Sequence, residues 1–495
     1  MTQFNYCKTT FCRHLLFLVL ALSFGFTAQA KDNSITLPPT SPHFGPSQIN
    51  VIFDHYTPGS RERVRIILYN GAFSGGPYDT KLRKNADGTQ GFAITENLVL
   101  PTQADLKIGK RAIPIIMVPE GKLTITLDSA NVKFDGDYAA LCTELQTVKD
   151  NLETSGRTFF DDIRGMTPLQ YKQFIVDTYQ ANKKAIDKAA VSKACKTYAR
   201  VQLDIDYIGH LLGYKTYLSM SNMISKDSTA QKNLETPIDS ASYFKGLSKM
   251  SILRSVNQRY YPYYCELDNK PLGIHIINDE LSDNLIKANK YSKKLTSSNP
   301  FMPAPNTPLS EEELQAAKTE ITCQPVLQLL LAKNEQVAQK AKADAEASKK
   351  LREEAAAKGT FSIVDIPEKM AAGKIIETLI APYKGKTILI DFWNTWCMPC
   401  RAAMKSIKPI KEEMKDIVYI ADATSPIDKW NEMIPDIHGI HTRISNPQSA
   451  ELGKQYNFDA IPTYVIIDKQ GHKIYQHTGF PGIEALKEAL TNANK

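Results

Sequence analysis

Cys397 and Cys400, in Trp396-Cys397-Met398-Pro399-Cys400, follow Asp391-Phe392-Trp393 and the apolar run Thr387-Ile388-Leu389-Ile390. A strand ending there, with a helix starting at the first sulfur, lets the pair close a small disulfide ring at a helix N-terminus. The unpaired N–H groups and the positive end of the dipole lower the first thiol's pKa. The thiolate is the reacting species in disulfide exchange, so this placement makes a redox centre. Half a zinc site has the same spacing, but zinc needs two more soft ligands. No cysteine follows Cys400, and His438 and His441, about forty residues on in a Gly-containing loop, read as a solvated turn.

Each residue of the segment has a role set by position. Cys397, at the helix start and nearest solvent, is the attacking thiolate. Cys400, one turn in and more buried, resolves the mixed disulfide by attacking the sulfur of Cys397. That step needs Cys400 deprotonated. Asp391 closes an apolar strand, where burial raises a carboxylate's pKa towards the working pH and suits it to accept a proton. Trp393 reads as packing and Trp396 as shaping the surface beside the sulfurs. No Gly-rich phosphate loop or clustered His and carboxylate motif is visible, so no metal, nucleotide or flavin cofactor is expected.

The elements that must hold this segment alternate over 359–495. Thr387–Phe392, Ile417–Ala421, Thr463–Asp468 and Lys473–Gln476 are strand-like; Pro399–Met414, Ser449–Tyr456 and Ile483–Ala493 are helix-like. The pattern predicts a βαβ first half and an antiparallel second half, covered by helices. Val326 to Lys358 has no Gly, Pro or aromatic residue and is rich in Ala, Lys, Glu and Gln, which predicts a continuous linker helix ended by Gly359. Its second half is polar nearly all round and reads as a solvent-exposed spacer.

Further upstream, 136–325 is predominantly helical. Leu141, Leu145, Val148 and Leu152 form one stripe, with breaks near Asp227-Ser228 and from Ser298 to Ser310. Arg259-Tyr260-Tyr261-Pro262-Tyr263-Tyr264 concentrates aromatics that read as core or interdomain packing. Residues 31–135 are β-rich: Arg63–Tyr69 and Lys122–Asp128 are strand-like, separated by turn clusters such as Phe73-Ser74-Gly75-Gly76-Pro77. A small antiparallel sandwich is the expected outcome. The fold class is thus multidomain, with an N-terminal β-sandwich, an α-helical middle and a C-terminal α/β unit.

Residues 1–30 read as a signal peptide, with Lys8 and Arg13, an apolar stretch from Leu15 to Phe26 and Ala28-Gln29-Ala30 as the cleavage site. The stretch is too short for a bilayer of about 30 Å, so no stable membrane insertion is expected. Export to the periplasm, or otherwise out of the cytoplasm, follows. Losing the leader lowers the formal net charge of +7 by two, to +5, a mild value that suggests no nucleic-acid partner. Cys142, Cys195, Cys265 and Cys323 would survive cleavage too, either as structural disulfides or as buried free thiols.

The segment from Asp391 to Arg401 resembles the active-site sequence of the thioredoxin superfamily, nearest the exported TlpA/ResA-like thiol:disulfide oxidoreductases. Ala460-Ile461-Pro462-Thr463-Tyr464 is similar to that family's second signature, whose proline is cis, and Pro409 falls where the family places one in the helix. Val118-Pro119-Glu120-Gly121 and Phe134 to Ala140 are similar to a β-sandwich that precedes such domains. The resemblance implies a thioredoxin-like fold for 359–495, with Asp391 as proton acceptor. It implies a loop, Ile461, Pro462 and Thr463, that pairs with an extended substrate beside Trp396. It further implies exported cysteine-containing proteins as substrates and a membrane thiol as electron donor.

Met398-Pro399 between the sulfurs includes no histidine to stabilise the thiolate, which favours a reducing couple. ResA-like members carry glutamate where this chain has Met398, which weakens any claim on apocytochrome c. The Pro-x-x-x-Thr-x-x-Cys pattern of a thiol peroxidase is broken by Ile390 and Asn394. Two alternatives stay open: a disulfide isomerase of the same fold, and a binding or assembly factor acting through its N-terminal region.

Overall fold

The computed structural model describes residues 35–493 except 56–57, 60–62, 69–77, 81, 130, 153–162, 226–227, 244–279, 297–305, 408–409, 411–416 and 423. The leader, the turn at 73–77, the aromatic cluster at 259–264, Cys265 and Pro409 lie outside the described residues.

In the N-terminal part, alternation along β1 (Gly45–Phe53) buries Ile49, Val51 and Phe53 and leaves the intervening residues at the surface. β1 pairs antiparallel with β5 (Gln90–Leu98) and parallel with β8 (Lys122–Leu127). β4 (Arg83–Lys84) and β9 (Val132–Gly136) complete this sheet, in the order β4-β5-β1-β8-β9. A second, antiparallel sheet runs β3-β2-β6-β7, with β2 Val64–Leu68, β3 Tyr78–Asp79, β6 Thr102–Ile108 and β7 Arg111–Met117. The expected all-antiparallel arrangement is therefore corrected to a mixed one. Between β1 and β8 the chain crosses to the other sheet twice, for β2–β3 and again for β6–β7, and β8 comes back beside β1 in the same direction.

Both sheets line one apolar cluster, in which Val51 and Ile125 meet Ile66, Leu106 and Ile115. Helix α1 (Ala139–Lys149) buries Leu141, Cys142, Leu145 and Val148 against the same cluster, as its stripe predicts. Helices α2 (Pro168–Lys188) and α3 (Lys193–Ser225) join it through Ile186, Cys195, Tyr198 and Leu203. Their remaining length lines a second core, where Tyr171, Leu211, Tyr214 and Leu218 pack with α4 (Ser228–Glu235), α5 (Glu280–Leu295) and α6 (Glu311–Glu320). A Thr167 capping box starts α2 and a Ser310 capping box starts α6.

Helix α7 (Gln324–Lys358) has 35 residues, roughly 50 Å at 1.5 Å per residue. It ends at Gly359, whose φ of 67° is the left-handed cap that glycine adopts without a Cβ penalty. Val326, Leu327, Leu330 and Val337 belong to the helical core. The second half is not the free spacer expected from its polarity. Leu351 and Ala355, one turn apart, are buried in the core of the C-terminal domain. Around them Asn431 Nδ2 donates to Ser348 Oγ (2.8 Å), Lys340 Nζ lies 3.1 Å from an Asp428 oxygen, and Arg352 pairs with Asp365. The docking stripe is two residues wide, too narrow to register as periodicity among so many Lys and Glu.

The C-terminal sheet has the order β10-β13-β12-β11-β14-β15. β10 (Phe361–Ile363), β13 (Gly439–Ile444), β12 (Ile417–Asp422) and β11 (Ile388–Phe392) are parallel neighbours; β14 (Thr463–Ile467) and β15 (Lys473–Thr478) follow antiparallel. Period-2 alternation splits the strands between two layers. Ile388, Ile390 and Phe392 face α8 (Ala372–Ile380) and α11 (Asn446–Gln455). Leu389 and Trp393 face α9 (Met398–Ser406), α12 (Ile483–Ala493) and the end of α7. Between β12 and β13 lies α10 (Ile427–Met433).

The reading of His438 and His441 as a solvated turn fits the exposed His438 but is corrected at His441, which lies in β13. His441 is fully buried and stacks on Tyr419, with ring centroids 4.9 Å apart. Gly439, at φ 140°, opens that strand where a Cβ would stand 2.7 Å from the Ile417 carbonyl oxygen and 2.9 Å from the Tyr419 ring.

Leu351→Ala should remove about 2 kcal/mol or more of docking energy. Hydrogen exchange should then quicken at amides 348–358 and stay unchanged at 326–337; equal change in both halves would contradict separate docking of the helix end.

Candidate active site

β11 leaves the sheet late. Trp393 N–H donates to the Ile420 carbonyl (3.0 Å), holding the chain on β12 one residue beyond the strand. Asn394 and Thr395 then turn it, and the Cys397 N–H donates to the Asn394 carbonyl (3.0 Å). Cys397 is the N-cap of α9, and its Sγ accepts from the Cys400 N–H at 3.2 Å. Pro399 sits in the first turn, where a missing N–H costs nothing. The two sulfurs are joined as a disulfide, with Cα atoms 5.3 Å apart.

Cys400 is wholly buried and Cys397 is 4% exposed, whereas Trp396 and Met398 are 46% and 72% exposed. Solvent thus reaches Cys397 before Cys400, along a rim of apolar side chains. When the bond opens, the N–H aimed at Cys397 Sγ and the helix N-terminus stabilise negative charge there. Facing the pair is the loop before β14. The Ile461–Pro462 peptide is cis, and the Ile461 carbonyl oxygen lies 3.8 Å from Cys397 Sγ. The Pro462 carbonyl accepts from Gly479 N–H (2.8 Å), and Thr463 Oγ1 donates to the Ala460 carbonyl (2.7 Å). Cys397, Ile461, Pro462, Thr463 and Trp396 therefore converge on one edge of the domain.

Asp391 is 1% exposed. Alternation puts it on the face of β11 that packs against α9, the helix carrying Cys400. It lies directly across from Tyr419 on β12 and Tyr464 on β14. Burial, and then the charge of Asp391, push both phenols well above the ordinary tyrosine range, so they keep their protons.

A polar network beneath the loop is absent from the residues picked out by sequence. Asn394 Oδ1 accepts from the Asp422 N–H (3.1 Å) and Ser425 Oγ (2.9 Å), and Ser425 Oγ accepts from the Thr395 N–H (3.0 Å). Trp396 Nε1 donates to Thr424 Oγ1 (3.0 Å), which also bonds Asp422. The available signal was position: Asp422, Thr424 and Ser425 follow the carboxyl end of a parallel strand, where α/β sheets place their sites.

Cys142, Cys195 and Cys323 are free. Burial pushes the Cys142 thiol up to about 12; burial, then the charge of Glu144, does the same for Cys195. Cys142 and Cys195 are inert core thiols. Among the described residues no group of His, Cys, Asp and Glu is arranged to hold a metal ion, and no helix is long and apolar enough to cross a membrane.

Residues 385–473 match a family described as thioredoxin-like. The chain is 29% identical over 120 residues to the thiol-disulfide oxidoreductase ResA of Bacillus thuringiensis, covering 24% of this chain and 68% of that one. It is 27% identical over 106 residues to Thioredoxin-2 of Pyricularia oryzae, covering 21% and 48%. Among solved structures, thioredoxin of Fasciola hepatica is 25% identical, covering 24% and 91% with a TM-score of 0.17. A structure described as a thiol:disulfide interchange protein DsbE of Chlorobium tepidum is 22% identical, covering 23% and 84% with a TM-score of 0.20. The C-terminal domain is thioredoxin-like.

Asn394→Ala would strip the acceptor from the Asp422 N–H and the Ser425 hydroxyl and should cost about 1–3 kcal/mol. A urea midpoint equal to that of the parent chain would show that the network carries no such load. In the native protein at pH 8, iodoacetamide should leave Cys142 and Cys195 unmodified, since a thiol titrating at about 12 is thiolate in only about one molecule in ten thousand. Mass mapping that finds either one alkylated without denaturant would contradict their burial.

Proposed function

We propose that the protein is an extracytoplasmic thiol:disulfide oxidoreductase that reduces disulfides of exported proteins, of the TlpA/ResA-like kind. One observation carries the reading: the Cys397–Cys400 disulfide caps a helix directly opposite the Ile461–Pro462 loop. A sulfur held there is reachable by an extended chain laid along that loop. The similarity to a protein named thiol-disulfide oxidoreductase supports the chemistry. The leader-like residues 1–30 support export.

In the reducing cycle the Cys397 thiolate attacks a substrate disulfide and expels one substrate thiolate. Cys400, losing its proton to Asp391, attacks Cys397 Sγ and releases the second. The protein is left oxidised by two electrons, and a membrane thiol donor restores the dithiol. The direction rests on Met398 and Pro399, neither of which adds a charge that would stabilise the reduced thiolate. Trp396, Met398 and Ile461 form the apolar rim that receives the substrate. The domain layout is the one read from the sequence, with the two N-terminal sheets as a sandwich and the helical region joining it to the redox domain.

Cys400→Ala should accumulate mixed disulfides through Cys397 with cysteine-bearing exported proteins, and Cys397→Ser should abolish both capture and insulin reduction. Capture of no such protein by Cys400→Ala, with insulin reduction persisting in Cys397→Ser, would refute the proposal.

A further inference from the structure

The chain has three tryptophans, Trp393, Trp396 and Trp430. Trp393 and Trp430 are buried, and among the described residues neither indole N–H meets an acceptor. Trp396, next to the first sulfur, is exposed, yet its Nε1 donates to Thr424 Oγ1 at 3.0 Å. Water would serve that donor wherever the side chain swung, so satisfying it does not require a protein partner. What a protein acceptor adds is one fixed orientation of a large apolar ring.

Hydrogen-bond polarity makes the acceptor specific. An indole N–H only donates and a carboxylate only accepts, whereas a hydroxyl has one proton and two lone pairs. Thr424 Oγ1 gives its proton to Asp422 Oδ1, which also accepts the Thr424 N–H at 2.9 Å. Both lone pairs are then left for Trp396 Nε1 and, at 3.3 Å, Asn394 Nδ2. Asp422 Oδ2 accepts from Ser449 Oγ at 3.1 Å, which anchors the carboxylate to α11 on the far layer of the sheet. The next residue, Ser425, is held from β13, where Arg443 Nε donates to its carbonyl at 2.8 Å. Thr424 is itself buried, so its hydroxyl is set in place independently of the indole.

We propose that Thr424, polarised by Asp422, is a positioning residue that holds the Trp396 ring as one wall of the substrate groove beside Cys397. The fixed ring selects substrates with a large apolar side chain next to the cysteine under attack. The assignment rests on the dithiol reading above and gives that site a substrate class. Exposed Met398 and half-buried Ile461 extend the same apolar rim, and the loop from Asn394 to Pro399 has no charged residue. A ring free to turn would present that wall only part of the time, and each binding event would carry the cost of ordering it.

The probes are cyclic peptide disulfides bearing either Phe or Ala beside each cysteine, with dithiothreitol as reductant and its uncatalysed rate subtracted. Cys397 attacks the peptide disulfide, Cys400 attacks Cys397 Sγ, and two electrons pass to the peptide, which leaves as a dithiol. Dithiothreitol then reduces the Cys397–Cys400 bond and is itself oxidised. The preference is the ratio of kcat/KM for the Phe peptide to that for the Ala peptide. It is measured for the parent chain, Thr424→Val, Thr424→Ser, Trp396→Phe and the double variant Thr424→Val with Trp396→Phe. The indole N–H resonances are recorded for each, Trp396 being assigned by its loss in Trp396→Phe.

We expect the parent chain to favour the Phe peptide, mainly through KM, and Thr424→Val to lower that preference by about threefold or more. The Trp396 indole N–H should then exchange faster with water, and Thr424→Ser should restore both properties. Trp396→Phe, which keeps a ring and loses the donor, should lower the preference as far, and adding Thr424→Val should lower it no further. A merely structural hydroxyl would instead slow both peptides alike and add its loss to that of Trp396→Phe. Preference retained in Thr424→Val, or absent from the parent chain, would overturn the inference and leave the dithiol reading standing. Should Thr424→Val not fold, preference retained in Trp396→Phe would overturn it equally. A parent chain that reduces neither peptide would remove the dithiol reading, and the assignment with it.

Discussion

The short bond path from β11 into α9 governs everything else in the C-terminal domain. β11 is buried on both faces and paired on both edges, so its exit point is immovable. Trp393 stays tied to β12, Asn394 turns the chain, and three residues later the first sulfur caps a helix. The Cys400 N–H then points at Cys397 Sγ without adjustment of either group. The two sulfurs inherit their position from a strand buried along its whole length and paired on both edges. Because the helix begins there, the electrostatic asymmetry between them follows from the backbone alone.

The rest of the architecture supports that exit in layers. α8 and α11 close one face of the sheet, while α9, α12 and the end of α7 close the other. The network of Asn394, Asp422, Thr424 and Ser425 then ties the loop to the carboxyl end of β12 and, through Trp396, to the rim. From Ser425 the chain runs directly into α10, the helix that receives α7. The redox loop and the docking of the long helix are thereby separated by one short connection.

What could be read from residue order divides along physical lines. The central strands and α12 were legible because their apolar runs are long and their turns are marked. The sulfurs, Asp391 and the Ile461-Pro462-Thr463 loop were legible because their types and spacing are chemically specific. β13 was not: Gly439, His441, Thr442 and Arg443 mimic a polar turn, and only the aromatic surroundings of His441 make a core of it. The parallel pairing of β1 with β8 was hidden too, since the partners are about seventy residues apart and local patterning reports no direction. The supporting network escaped because Asn, Thr and Ser are common in loops; only the exit point of a parallel strand singles them out.

Helix α7 is a member of two cores at once, with Val326 to Val337 sealed in one and Leu351 and Ala355 in the other. A hinge needs a segment whose contacts can be surrendered cheaply, and this helix has none at either end. The disulfide is therefore carried on a strut. Partners must approach it from the side left open, and cutting the chain at Gly359 to isolate the redox domain would strip an apolar patch of its native cover.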